Sequence, residues 1–400
     1  MIPSKAFKTL LIYRIGATLS YQITMVAVGW HLYEITHSVI SLGLVGLAEL
    51  VPYFALALYA GHAVDHHSRK VISAIAAIIH ILVALFLCGI ALDWFSPPVP
   101  LIYTAVGLIG VARALLRPSY QALFGQIIPR EQLTKYMAYG NASFQICVVA
   151  GPGLGGLMIG FTNLTWTYAL AAFCGLISLY GVTLIKAHTE KSAQTTHFLK
   201  SFMQGFDYVR KHELILSTMA LDMFAVLFGG AVSILPAFVS DVLHAGPEVL
   251  GILRAAPAAG SVLMGIFLAT RPILNDSGKY LLLSVAGFGI SIIGFGLSTH
   301  LWVCAFFLFA SGCCDSVSVV IRSSIVQLTT PDNMRGRISA INGIFIGSSN
   351  ELGALESGIA ASLLGLVPSI IFGGVATLAV VLITYKLAPN LHKFHIRDIT

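Results

Sequence analysis

Twelve stretches of about twenty or more mostly apolar residues succeed one another along this 400-residue chain. They lie near 9–33, 40–62, 71–92, 99–125, 136–160, 165–186, 214–240, 248–270, 279–299, 301–327, 337–363 and 366–387. A helix needs about 20 such residues to cross the hydrocarbon of a bilayer. Only 10% of the residues are charged and 57% are apolar, against about 25% and 45–50% in a soluble domain. So few charges cannot cover a surface in water, and disorder would need low hydrophobicity with high net charge. The expected class is an all-α membrane protein with twelve transmembrane helices. Met1-Ile-Pro-Ser-Lys5 runs into the first apolar stretch without a small-residue cleavage site, so that stretch reads as a membrane helix and not as a removable signal. All six cysteines fall inside apolar stretches at no zinc-ligand spacing and read as inert buried thiols.

Eighteen of the 23 Lys and Arg lie at the termini or in alternate connections. The other set of connections holds no basic residue, only Glu34, Asp93, Asp241 and Glu248. By the positive-inside rule both termini and the long 187–213 connection are expected in the cytoplasm. The formal charge of +6 then records topology, and no nucleic-acid partner is implied. The polar connection divides the chain into an N-terminal six-helix bundle, 1–186, and a C-terminal one, 214–400. Within the 187–213 linker, Phe198, Phe202, Phe206 and Val209 share a helical face, which suits an amphipathic helix along the inner membrane surface.

The halves repeat one another. Gly46-x-x-Glu49-x-x-Pro52 in the second span returns 205 residues later as Gly251-x-x-Arg254-x-x-Pro257, with His37 and His244 ahead of each. Arg117 and Arg322 are also 205 apart; Pro129 and Pro331, and Lys135 and Arg337, are 202 apart. A nearly constant shift across several helices marks two related halves. Ten ionisable residues lie within spans: Arg14, Arg113, Arg117, Arg254 and Arg322 against Glu49, Asp222, Asp315, Glu351 and Glu356. Each costs at least ~2.5–3.5 kcal/mol in hydrocarbon, so they are expected to face a cavity or one another. Glu49 sits roughly 14 Å below the outer end of its span, near the midplane, and Arg254 takes the matching place in the other half. Transporters built from repeats bind substrates at this depth. Glu49 and Arg254 therefore read either as partners across a pathway or as a permanent structural ion pair, with Asp222 and Asp315 as comparable candidates for proton coupling. Arg113, Arg117, Arg322 and Glu351 complete the expected pathway set. Glu356, nearer an outer end, reads as a vestibule residue, and Arg14 can snorkel to the surface.

The loop Gly61-His-Ala-Val-Asp65-His-His-Ser-Arg69-Lys70 resembles the signature between the second and third helices of the major facilitator superfamily, with His66 where a basic residue usually stands. No clear copy follows span eight, between Gly265 and Lys279. Gly151-Pro152-Gly-Leu-Gly155-Gly156 in the fifth span resembles the Gly-Pro-x-x-Gly-Gly motif of the superfamily's antiporters and exporters. Pro152 removes a backbone donor and favours a kink, and the glycines allow close packing between membrane helices. Gly43-Leu-Val-Gly46-Leu-Ala-Glu49-Leu-Val-Pro52 and Gly205-Phe-Asp-Tyr208-Val-Arg210 are similar to the branch of enterobactin exporters and macrolide-efflux carriers. This resemblance implies the major facilitator fold of two pseudo-symmetric six-helix bundles. It also implies a monomeric secondary transporter of the inner membrane that exports a siderophore-like or drug-like molecule by alternating access in exchange for protons. In that family Gly61, Asp65, Arg69 and Lys70 form a gating loop, while Gly151, Pro152, Gly155 and Gly156 form the antiporter-type kink. An importer of the same fold and a non-transporting receptor or assembly factor stay open as alternatives.

No phosphate loop, metalloprotease motif or nucleophile elbow is present, so an enzyme is not expected, and neither is a cofactor. His62, His66 and His67 beside Asp65 read as a solvated loop and not as metal ligands. The sequon Asn163-Leu-Thr165 falls in a very short turn. Trp94, Trp166 and Trp302 fall where an outer aromatic belt is expected.

Overall fold

The computed structural model describes residues 5–66, 68–129, 132–185, 198–331 and 334–398, all helical or in connections. Six long helices precede the central linker: α1 (Lys5–Thr36), α2 (Val39–His66), α3 (Arg69–Ala91), α4 (Pro98–Ile127), α5 (Leu133–Phe161) and α6 (Leu164–Leu184). The linker helix is α7 (Phe198–Lys211). Then come α8 (Glu213–Phe228), α9 (Leu235–Asp241), α10 (Pro247–Thr270), α11 (Ser277–Gly296), α12 (Leu301–Thr329), α13 (Arg335–Leu364), α14 (Leu366–Leu387) and the short α15 (Pro389–His392). Among the described residues eleven segments are long and apolar enough to cross a membrane, with α8 and α9 counted as one. The twelfth expected span is α13, a full 30 residues, whose Arg337, Glu351, Glu356 and many serines dilute its apolar character.

Local chemistry sets several helix ends. Asn163 caps α6 by accepting the Trp166 N–H at 3.1 Å, which gives the sequon asparagine a structural task. Gly365, at φ +94°, turns α13 directly into α14 in a conformation open to glycine. His37 and His244, at φ +47° and +48°, make the same left-handed step before α2 and before Pro247 of α10. The repeat thus extends to backbone geometry. One expected span is not continuous: 214–240 breaks after Phe228 at Gly229-Gly230, passes through a 3-10 turn at Ala231–Ile234 and restarts as α9 with Pro236 in its first turn. Two consecutive glycines give the helix little reason to continue, and α13 closes on the gap, since a Cβ on Gly230 would lie 2.8 Å from the Gly353 carbonyl oxygen.

The chain forms two compact units, described separately. Unit 1 holds Met1–His37, Leu47–Gln194 and Ala245–Ala255; unit 2 holds Ser38–Gly46, Thr195–His244 and Ala256–Thr400. Each unit therefore includes the opening turns of a helix whose remainder belongs to the other. Lipid offers helices no hydrophobic reward for pairing, so close backbone approach through small residues carries much of the packing. In unit 1, Gly156 of α5 meets Gly251 of α10 so closely that an added Cβ would lie 2.5 Å from its Cα. In unit 2, Gly358 of α13 meets Gly43 of α2 in the same manner, at 2.8 Å. Residues 156 and 358 are 202 apart, the shift already seen for the loops before α5 and α13.

In unit 2, Val209 of α7 is buried with Ile215, Met219, Ile338 and Ile341, while Met203 and Phe206 stay exposed. The amphipathic linker helix is thus docked on protein along one edge. The chain end is also docked. The Gly278 N–H donates to Phe394 O at 3.0 Å and Arg397 N–H to Leu274 O at 3.1 Å. The Asp276 N–H donates to His395 Nδ1 at 2.8 Å, and Leu391 is fully buried. This tail covers the stretch after α10 in which no copy of the first-half signature loop was found.

Candidate functional site

In unit 1 the site grows from a crossing of α2 and α4. A Cβ on Gly110 would overlap the Glu49 carbonyl oxygen, so only glycine lets α4 approach here, and a Cβ on Gly107 would lie 3.5 Å from Pro52 Cγ. One turn beyond Gly110, Arg113 reaches Glu49: its Nη1 donates to Oε1 at 2.6 Å. The Tyr21 hydroxyl of α1 lies 3.1 and 3.2 Å from the two carboxylate oxygens. Glu49 is 1% exposed and Arg113 35%. The guanidinium is flanked by the rings of Tyr21, at 5.7 Å, and Tyr53, at 5.5 Å, which is favourable cation–π geometry. His80 of α3 is buried within electrostatic reach of Glu49, and its Nδ1–H donates to Ala76 O. Arg254, on the α10 turns that belong to this unit, approaches Met25 O at 3.5 Å. Met25 lies one turn along α1 from Tyr21, a rise of about 6 Å.

In unit 2 the corresponding crossing is α10 with α12, where Gly312 packs on the Pro257 carbonyl, 205 residues from the Gly107–Pro52 contact. At the position equivalent to Gly110 stands Asp315. Two turns further along α12, Arg322 forms an ion pair with Asp222 of α8, both side chains under 10% exposed. Asp315 is half-buried within electrostatic reach of both. The Arg322 Nε is buried with no partner among the described atoms. The repeat is broken here for a clear reason. Arg117, the counterpart of Arg322, is exposed, and the residue 205 before Asp222 is Ala17, so α1 carries no matching carboxylate there. Glu351 and Glu356 are half-buried on α13. Arg14 donates to the Tyr120 hydroxyl at 3.0 Å and stacks on the Tyr120 and Phe144 rings, as a residue anchored near a helix end would.

Of the signature loop, Gly61 and Asp65 lie on the last turns of α2, and their side chains, like those of His62 and His66, fall outside the described ones; His67 lies outside entirely. Arg69 and Lys70 open α3. The Arg69 Nη1 donates to Ala122 O of α4 at 3.2 Å, and the Lys70 ammonium donates to Thr183 O and Ile185 O at 2.7 and 2.9 Å, satisfying carbonyls at the end of α6. In α5, Gly151 packs on Gln22 and Gly155 on Ile23 of α1, Pro152 is inside the helix, and Gly156 makes the crossing with α10. Sequence reading missed Tyr21, Tyr53, His80 and Gly110. No motif marks them, although glycines three apart at 107 and 110 would have signalled a close crossing on α4.

The sequence signature of the transmembrane secretion effector family, a branch of the major facilitator superfamily, matches residues 2–398. The enterobactin exporter of Escherichia coli is 25% identical over 375 residues, 89% of this chain and 87% of its own length. Macrolide efflux protein A of Streptococcus pyogenes is 21% identical, covering 86% of each chain. The crystal structure of a D-xylose–proton symporter superposes with a TM-score of 0.75 at 11% identity, over 97% of this chain and 99% of that one, so the two share the fold.

Proposed function

Since the chain belongs to the transmembrane secretion effector family and is a major facilitator transporter, we propose that it exports a small organic molecule, siderophore-like or drug-like, by alternating access in exchange for protons. It works as a monomer in the inner membrane with both termini in the cytoplasm. The observation that carries this reading is the pair of buried ionic clusters, Glu49–Arg113–Tyr21 and Asp222–Arg322 with Asp315 alongside, inside segments that cross the membrane. Charges at that depth are expensive to keep, and transport pathways are where they recur.

The physics of the exchange is local. A proton taken up by Glu49 or Asp222 removes one charge of an ion pair, and one taken up by Asp315 removes a negative charge beside the Asp222–Arg322 pair. Such a change moves a conformational equilibrium only by the difference in free energy it makes between the two states. A ligand must favour one state by about 5.5 kcal/mol to swing the population from 1:99 to 99:1. Removing one partner of a well-buried pair costs about 3–5 kcal/mol, so a pair kept in one state and broken in the other would supply most of that difference. Arg69 and Lys70, tying α3 to α4 and α6, give the gating loop a rigid seat, and the tight glycine packing of α5 restricts which helices can part.

Two measurements test the proposal. Proteoliposomes should move protons when substrate is added, and Glu49→Gln or Asp315→Asn should abolish proton movement; flux indifferent to the proton gradient would remove the antiport. Cells with and without the chain, grown under iron limitation, should differ in the siderophores of the medium or in retained macrolide. No difference in either would count against export, and accumulation inside cells would reverse the direction.

A further inference from the structure

The chain end is tied to the start of α11 through four amides. Gly278 N–H donates to Phe394 O at 3.0 Å, Arg397 N–H to Leu274 O at 3.1 Å, Ile396 N–H to Ser277 Oγ at 3.2 Å and Asp276 N–H to His395 Nδ1 at 2.8 Å. Leu391 and Ile396 bury their side chains, and a Cβ on Gly278 would overlap the Leu391 carbonyl oxygen, so only glycine admits the segment. Asn390 Nδ2 donates to Glu213 Oε2 of α8 at 2.8 Å, and the His392 ring lies 5.0 Å from that of Tyr385 on α14. Residues 389–397 thus strap the ends of α8, α11 and α14 together, all within unit 2.

Three of the four bonds at α11 involve groups that do not titrate. The fourth differs. A main-chain N–H can only donate, so the ring nitrogen that meets Asp276 must present a lone pair. An imidazolium has two N–H groups and no acceptor, so a proton on Nδ1 and this bond exclude one another. Asp276 is the N-cap of α11, at φ +50° and with no side-chain cap bond of its own. His395 therefore does from the chain end what a Glu or Gln does in a capping box, accepting from the N-cap amide. It is half-buried, open enough to exchange protons with water.

We infer that residues 394–397 form an acid-released strap, docked on the start of α11 while His395 is unprotonated and freed when it takes up a proton. Leu391, further in, stays as the anchor. The docked form binds one proton fewer than the freed form. By linkage, docking is therefore present at high pH and lost as pH falls through the range in which histidine titrates, about pH 8 to 5. The surrounding charges keep that sign. Arg271, Lys279, Lys386, Lys393 and Arg397 are exposed on the neighbouring elements and the strap itself, against the exposed Asp276 and Glu213, and Glu213 is engaged by Asn390. Among the described residues no carboxylate pairs with His395; the Asp398 side chain falls outside them. The other titratable ring is His392, whose Nδ1 is buried without a partner. Release uncovers the Leu274–Gly278 connection, which stands where the first half carries its signature loop. In the topology proposed above, antiport acidifies this face, but the strap does not depend on that reading.

Hydrogen exchange of the full chain in nanodiscs, with each rate divided by the intrinsic rate at the same pH, reads docking as protection. Protection at Asp276, Gly278 and Arg397 should fall at least about tenfold between pH 8 and pH 5.5, within the limit of about tenfold per pH unit for one linked proton. His395→Asn supplies an oxygen acceptor that does not titrate and should hold the pH 8 protection at pH 5.5. His395→Ala should show low protection at both, and His392→Phe, which keeps a ring against Tyr385, should fall as the parent does. Unchanged protection in the parent, an equal fall in His395→Asn or no fall in His392→Phe would each overturn the inference. So would a parallel fall at the buried Val285 and Ile292 of α11, which would mark general loosening. Failure of the transport reading would look different: no substrate moved in proteoliposomes, with the exchange results intact.

Discussion

Replacing Arg322 by Met tests whether the Asp222–Arg322 pair braces unit 2. The two side chains are 5% and 7% exposed, so Arg322→Met leaves a buried carboxylate without its counter-charge. Removing one member of a buried pair costs about 3–5 kcal/mol, a hundredfold to a few thousandfold in the folding equilibrium. The double replacement Asp222→Asn/Arg322→Met removes both desolvation penalties. It should lie within about 1 kcal/mol of the parent or be more stable, because buried pairs often barely repay their own desolvation. The unpartnered Arg322 Nε strengthens that expectation, since the native pair is itself incompletely satisfied. Equilibrium unfolding of the purified chain in SDS, followed by tryptophan fluorescence, gives the four corners of the double-mutant cycle. A single variant within 1 kcal/mol of the parent, or a double variant as unstable as the single, would falsify the reasoning. A stable double variant that no longer couples protons to flux would separate the pair's function from its structural role.

Other predictions follow from the packing. Gly156→Ala should destabilise by about 1–3 kcal/mol through overpacking, because its Cβ meets Gly251 Cα at 2.5 Å and Pro247 O at 2.6 Å; Gly153→Ala, with nothing within 4 Å, should be neutral in the same SDS titration. Asn163→Ala should cost about 1 kcal/mol at the start of α6, seen as faster hydrogen exchange at the Trp166 amide, whose acceptor is lost. Leu391→Ala, at a fully buried side chain, should cost about 2–5 kcal/mol and raise exchange at Gly278 and Arg397, whose amides tie residues 394–397 to the start of α11 and the connection before it.

Most of the architecture was legible in the sequence. The span count, the repeat and the in-span charges follow from properties that each residue carries with it wherever it folds. Apolarity over twenty residues needs no partner to be recognised, and a repeat shows in spacing alone. Glu49 stood out because a carboxylate at that depth requires compensation, whatever supplies it. The left-handed steps at His37 and His244 were visible only as a coincidence of position, since a histidine does not by itself announce a positive φ. The break at Gly229-Gly230 was hidden by the apolar residues around it.

Which charge meets which was settled by the tertiary structure. Pairing depends on the rotation of each helix and on how closely its neighbour approaches, and both turn on small residues without chemical signature. Gly110 brings α4 against α2 and so joins Arg113 to Glu49; Asp315 takes the equivalent place on α12. Arg117 and Arg322 look alike in the repeat, yet one is exposed and the other buried against an aspartate that α1 lacks. The sequence established that charges lie in the membrane. Folding paired them, Arg113 with Glu49 in one unit and Arg322 with Asp222 in the other, because hydropathy is local whereas electrostatic compensation is a property of neighbours distant along the chain.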